Sequence, residues 1–118
     1  MLIVDDDPAV TETFSRMLLL EGYTVRGAVT AEAGLREAEA ARPDAILLDL
    51  RMPIVDGVAF LRRLRARADQ RATPVAIVTG DYFLDDVLSH ELQGLGAAVF
   101  FKPLWIEDLV RITRSLVR

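Results

Sequence analysis

Apolar positions along the chain follow two rhythms. Leu2-Ile3-Val4, Ala45-Ile46-Leu47-Leu48, Val75-Ala76-Ile77-Val78 and Ala97 to Phe101 are short, nearly unbroken apolar runs, as expected of strands buried on both faces of a parallel sheet. Tyr23-Thr24-Val25-Arg26, with its β-branched residues and partial alternation, predicts one more strand. Between these runs the apolar residues recur at helical spacing. Val10, Phe14, Met17 and Leu18 predict a helix over 8–20, and Leu35 with several alanines predicts one over 31–41. Val58, Leu61 and Leu64 predict a third over 58–68, a fourth is expected over 84–93, and Leu109, Ile112 and Leu116 mark the last over 105–117. The punctuation agrees. Asp7 is placed to cap the first helix with Pro8 as its first residue, Gly22 closes it, and Thr30 can cap the second. Pro43-Asp44 and Asp56-Gly57 read as turns, and 70–74 as a loop. Gly34 weakens the second helix by about 1 kcal/mol relative to alanine, so that helix is expected to depend on packing.

Strand and helix thus alternate five times with short connections. That pattern implies an α/β fold, a parallel sheet covered on both faces with right-handed crossovers. A flavodoxin-like, doubly wound (βα)5 sheet of order 2-1-3-4-5 fits best, with its switch point between strands one and three. Residues 1–118 are expected to form a single domain, and a strand beginning at Met1 or Leu2 raises the expectation that the chain is a fragment of something longer. Composition changes this picture only by exclusion. A net charge of -4 lacks the basic footprint of a nucleic-acid surface. Without cysteine, disulfides and thiolate metal sites are excluded. The apolar runs fall well short of the ~18 residues of a membrane span, so a cytoplasmic location is the expectation.

The polar residues fall at one rim of this sheet. Asp5 and Asp6 end the first strand, Asp49 the third, Thr79 the fourth and Lys102 the fifth. Ligands of open α/β sheets bind outside the carboxyl ends of the strands, so an aspartate at the tip of the central strand is placed for chemistry. Three carboxylates repel one another, a hard divalent cation relieves the repulsion, and oxygen-only ligands favour Mg²⁺ over zinc. A carboxylate can attack a phosphoryl group to give an aspartyl-phosphate. That transfer asks mainly for positioning and charge neutralisation, tasks suited to a Lys102 ammonium and a Thr79 hydroxyl.

Four segments carry a resemblance. Ile3-Val4-Asp5-Asp6-Asp7-Pro8, Leu48-Asp49-Leu50-Arg51-Met52-Pro53-Ile54-Val55-Asp56-Gly57, Val78-Thr79-Gly80 and Lys102-Pro103 together resemble the signatures of the receiver (REC) domain of two-component response regulators, over essentially the whole chain. The resemblance implies that Asp49 is the phosphoacceptor. It also implies that Asp5 and Asp6 hold Mg²⁺ with Asp49, Asp6 being the more direct ligand, and that the main-chain carbonyl of Arg51 completes the set. Thr79 becomes the switch hydroxyl and Lys102 the phosphate-pairing cation, with a cis bond before Pro103. The phosphoryl donor would be a sensor histidine kinase or phosphotransfer protein. The face built from helix four, strand five and helix five would be a homodimer or output surface.

Two departures stand out. Val99 occupies the position, three before the lysine, where the family usually has its aromatic switch residue. Either Phe100 takes that part through a one-residue shift, or the aromatic half is absent. Gly80 stands where alanine is commoner. Arg51 and Asp81, each two residues after a site residue, are expected to modulate phosphotransfer and hydrolysis. Asp7 reads as a cap rather than a ligand, and His90 as an exposed, inert histidine. The rival readings are a phosphorylation-independent interaction module and, less consistent with an acceptor on the third strand, a Mg²⁺-dependent phosphohydrolase.

Overall fold

The apolar runs do form the sheet. The computed structural model describes residues 1–50, 56–80, 84–102 and 104–117. Strands β1 (Leu2–Val4), β2 (Arg26–Ala28), β3 (Ile46–Asp49), β4 (Val75–Thr79) and β5 (Ala97–Phe101) are all parallel, in the order β2-β1-β3-β4-β5. Helices α1 (Pro8–Leu20), α2 (Ala31–Ala41), α3 (Gly57–Ala66), α4 (Asp86–Gly94) and α5 (Ile106–Leu116) alternate with them. This is the flavodoxin-like arrangement that the alternation implied.

Strand side chains alternate between faces, and the core divides accordingly. Leu2, Val4, Ile46, Leu48, Val75 and Ile77 pack with residues of α2, α3 and α4, among them Ala38, Phe60, Leu64 and Leu92. Ile3, Leu47, Ala76 and Val78 pack on the other face with Leu18 of α1 and Leu109 and Ile112 of α5. Each fully buried Leu or Ile contributes roughly 2 kcal/mol by leaving water.

The helix starts obey the sequence. Side chains of Asp7, Thr30, Asp56 and Asp85 accept from the backbone N–H groups of Ala9, Ala33, Ala59 and Leu88 at 2.9, 3.0, 3.0 and 2.7 Å, each quenching a donor that the first helical turn leaves unpaired. Gly22, with φ +95, ends α1 in a conformation that favours glycine. Gly34 answers the packing question posed by its helix. A Cβ there would lie 2.8 Å from Val4 Cγ2 and 3.0 Å from Phe60 Cε2, so α2 lies against β1 closer than a side chain would allow.

Two boundaries differ from expectation. The second strand lies at Arg26–Ala28, not at Tyr23–Arg26, because pairing starts where the chain comes level with β1: Leu2 is opposite Arg26, and the Arg26 N–H donates to Met1 O at 2.9 Å. Tyr23 and Val25 instead cover the edge of the cluster beneath α1 and α5. The third helix stops at Ala66, and a 3-10 turn, Ala68–Gln70, follows it. The turn is held by Gln70, whose buried amide donates to Ala38 O at 2.9 Å and whose carbonyl oxygen accepts from Thr73 Oγ1 at 2.6 Å. No helix among the described residues is long and apolar enough to cross a membrane.

Candidate functional site

The topology brings the ends of β1, β3, β4 and β5 to one rim, and the polar residues arrive there together. Asp5, Asp6 and Asp49 each offer a carboxylate oxygen, and these oxygens lie within 4.8 Å of one another. Asp5 and Asp49 are buried, 5% and 7% exposed, whereas Asp6 faces solvent. Lys102 reaches across from the end of β5: its Nζ donates to Asp5 Oδ2 at 3.1 Å and lies 3.8 Å from Asp49 Oδ1. Thr79 ends β4 fully buried, and its carbonyl accepts from the Lys102 N–H at 2.8 Å, which extends the β4–β5 ladder to the lysine.

Backbone contacts fix these positions. The Asp5 N–H donates to Ala28 O at 3.1 Å, carrying the β1–β2 pairing one residue past β1. Asp5 Oδ1 accepts from the Asp7 N–H at 2.9 Å, so the loop that delivers the cap of α1 also orients a site carboxylate. Asp7 is therefore a cap, as its position suggested. Around Asp49 the device is Gly57. Its N–H donates to Leu50 O at 2.9 Å, and a Cβ on it would sit 2.5 Å from Asp49 O and 2.8 Å from Leu50 Cα. The Asp56-Gly57 pair was legible as a turn, but its role as the backbone rest for the strand that carries Asp49 was not. The signal for it was an aspartate cap followed by glycine a short loop after an apolar strand.

Among the described residues, three carboxylates and one lysine meet here. The donor set is all oxygen, partly buried and partly open to solvent. A hard divalent cation with several water ligands fits it.

The strand before Lys102 alternates. Val99 packs against the buried cluster on the α4 side, while Phe100 packs against the cluster on the α1–α5 side that contains Val78 and Leu109. Phe101 returns to the α4 side, where it lines a groove with Leu84, Ser89, Gln93, Ala97 and Val99. The expectations for Arg51, Asp81 and Pro103 lie outside the described residues. His90 is exposed, its ring Nδ1 2.9 Å from Asp86 O within its own helix.

The family profile described as "Response regulator receiver domain" matches residues 1–114. Along its whole length the chain is 36% identical to the transcriptional regulatory protein PrrA of Mycobacterium leprae and to the response regulator MprA of Mycobacterium ulcerans, covering 49% and 50% of them. The chain therefore spans about half the length of these curated relatives. Among solved structures, the chemotaxis protein CheY4 of Vibrio cholerae superposes with a TM-score of 0.88 at 28% identity, covering 98% of this chain and 95% of that one. A CheY-like receiver domain protein of Methanospirillum hungatei gives 0.86 at 31% identity, covering 98% and 90%.

Proposed function

Since the chain belongs to the response regulator receiver domain family, a class of signalling modules rather than classical enzymes, we propose that Asp49 is its phosphoacceptor in a two-component system. The observation that carries this reading is the meeting of Asp49 with Asp5, Asp6 and Lys102 at one sheet rim. A bare acidic cluster would not need the lysine. A phosphoryl acceptor does, because the incoming group brings oxygens that must be paired.

In this reading a phosphohistidine of a sensor kinase or phosphotransfer protein is the donor. An Asp49 carboxylate oxygen attacks phosphorus, the O–P bond forms, the P–N bond breaks, and the imidazole leaves. Asp5, Asp6 and Asp49 would hold Mg²⁺, with the Arg51 carbonyl added by family resemblance. When bound, Mg²⁺ supplies charge neutralisation between the acceptor carboxylate and the phosphoryl oxygens. Lys102 exchanges its Asp5 partner for a phosphoryl oxygen, and the Thr79 hydroxyl donates to another. Drawing these two groups toward the new dianion biases an existing equilibrium of the domain. Phe100, the aromatic candidate, packs against the buried cluster to which α5 contributes Leu109 and Ile112, so its response is passed to α5. Arg51 and Asp81 tune the lifetime of the phosphorylated state.

The same reading assigns the domain to the cytoplasm and its output to the α4–β5–α5 face, as a homodimer contact or a docking surface. Val87, Phe101, Trp105 and Ile106, all large apolar residues exposed to solvent, support that choice. Contact with nucleic acid is not assigned to this domain.

The test is acetyl phosphate with Mg²⁺, read by intact mass. The wild-type protein should gain one phosphoryl group, which chelation prevents, and Asp49→Asn should gain none while keeping its circular dichroism spectrum. Labelling of the Asn variant would refute the assignment. A folded wild-type protein that takes no label would favour the phosphorylation-independent module instead.

A further inference from the structure

We propose that Arg62 and Arg65 form a latch on α3 that fastens the C-terminal half of α4 to the body of the domain, leaving the N-terminal half of α4 as the end that moves. The two arginines are three positions apart and so share a face of α3. They meet α4 at two positions four apart. Arg62 pairs with both carboxylate oxygens of Glu91, the Oε2 contact being 2.7 Å. Arg65 Nε donates to Leu95 O, the carbonyl at the C-cap of α4, at 2.8 Å, and Arg65 Nη1 donates to Gln70 O at 2.8 Å.

The second arginine is the stronger element. Its guanidinium spans carbonyls from two separate segments, which a planar fork can do and an ammonium cannot. It is part-buried, and desolvation lowers its pKa from the ordinary arginine value. Gly96, at φ +75, turns the chain from α4 into β5 directly beside it, 3.7 Å separating the Arg65 guanidinium from where a Cβ would be. The far side of the latch is grounded as well: Gln70 reaches Ala38 O of α2, and Arg67 pairs with Glu39 at 3.4 Å. The 3-10 turn is thus a strut between α2 and the end of α4.

The other end of α4 is built differently. Asp85 caps its own helix, and Val87 is 81% exposed. Leu92 is fully buried, whereas Leu84 and Leu88 are only partly so. Tethered at one end and lightly packed at the end that follows the Thr79-Gly80 rim, α4 is a lever whose pivot is at Leu95. This extends the switch reading above but is tested without it.

Residue-resolved amide hydrogen exchange on the unphosphorylated protein supplies the test. In the wild type, Leu92, Gln93 and Leu95 should exchange at least ten-fold more slowly than Ser89 and His90, which also lie beyond the unpaired first turn. Arg65→Met should accelerate Leu92 to Leu95 at least ten-fold while amides in β1 and β3 stay within two-fold, and Arg65→Lys should recover little of the loss. Arg62→Gln provides a milder second variant, expected to act on the same amides. The latch is overturned if the two halves of α4 exchange alike in the wild type, if neither variant changes Leu92 to Leu95, or if protection falls uniformly across the sheet. No phosphoryl donor enters the experiment, so its outcome is independent of whether Asp49 is the acceptor.

Discussion

Gly57 rests on Asp49: a Cβ on the glycine would stand 2.5 Å from the aspartate's carbonyl oxygen. Main-chain atoms of the central strand cannot retreat, since Leu48 and Leu50 on either side are buried. Gly57→Ala should therefore cost about 2 kcal/mol or more through overpacking, even though alanine is the better helix former by ~1 kcal/mol. Urea denaturation gives the stability. Acetyl phosphate labelling of the fraction still folded should also slow, because any relief displaces the strand end that carries Asp49.

Lys102 sits closer to Asp5 than to Asp49, 3.1 against 3.8 Å. In the absence of a cation it supplies the positive charge that the buried Asp5 would otherwise lack. Lysine and a divalent cation thus compete for the same carboxylates. Lys102→Met should tighten Mg²⁺ binding, measured by calorimetry, by about five-fold, corresponding to roughly 1 kcal/mol for one removed charge in a partly solvated site. The same variant should lose the conformational response to phosphorylation. Weaker Mg²⁺ binding would show that the lysine organises the carboxylates rather than competing for them.

Replacing Gly34 opposes two effects of known sign. Alanine gains about 1 kcal/mol of helix propensity, but its methyl would meet Val4 and Phe60 at 2.8–3.1 Å. Both neighbours are completely buried and have nowhere to go, so overpacking at about 1–3 kcal/mol should prevail. Gly34→Ala is expected to lower the melting temperature, with α2 contributing less helicity rather than more.

Asp7→Ala separates the cap from the site. The lost cap should cost about 1 kcal/mol. The hydrogen bond to Asp5 comes from the backbone of residue 7 and survives the substitution. Stability should fall, while Mg²⁺ affinity and labelling rate stay within about two-fold of wild type.

How legible was all this in the sequence? The central strands were, because a strand flanked by neighbours on both sides must be apolar throughout, and Ala45 to Leu48 and Val75 to Val78 are. The edge strand was not. Arg26-Gly27-Ala28 has one hydrogen-bonded neighbour, needs little side-chain signal, and was outbid by the segment just before it, whose Tyr23 and Val25 are there for packing and not for pairing. The rim residues were legible because five chemically matched groups at four strand ends are an improbable accident. The parts that depend on distance between segments far apart in sequence were silent: that Gly57 touches Asp49, that Gly34 touches Val4, and that Arg65 spans Gln70 and Leu95. Arginines on an amphipathic helix read as a solvated face, and only the backbone carbonyls across from them make two of them structural.

The strand order has a consequence for how the chain reaches its fold. β3 meets β4 across a single helical crossover, and so does β4 with β5, but β1 reaches β3 only after β2 and two helices have been made. Parallel pairings of this kind are slow, since the intervening chain must close before any contact is gained. Until β1 docks, Ile46 to Leu48 form an uncovered apolar edge, the type of surface that recruits other chains. The stretch that carries Asp49 is thus also the one that most needs early cover. Refolding yield at high protein concentration should depend more on Leu2, Ile3 and Val4 than their small number suggests.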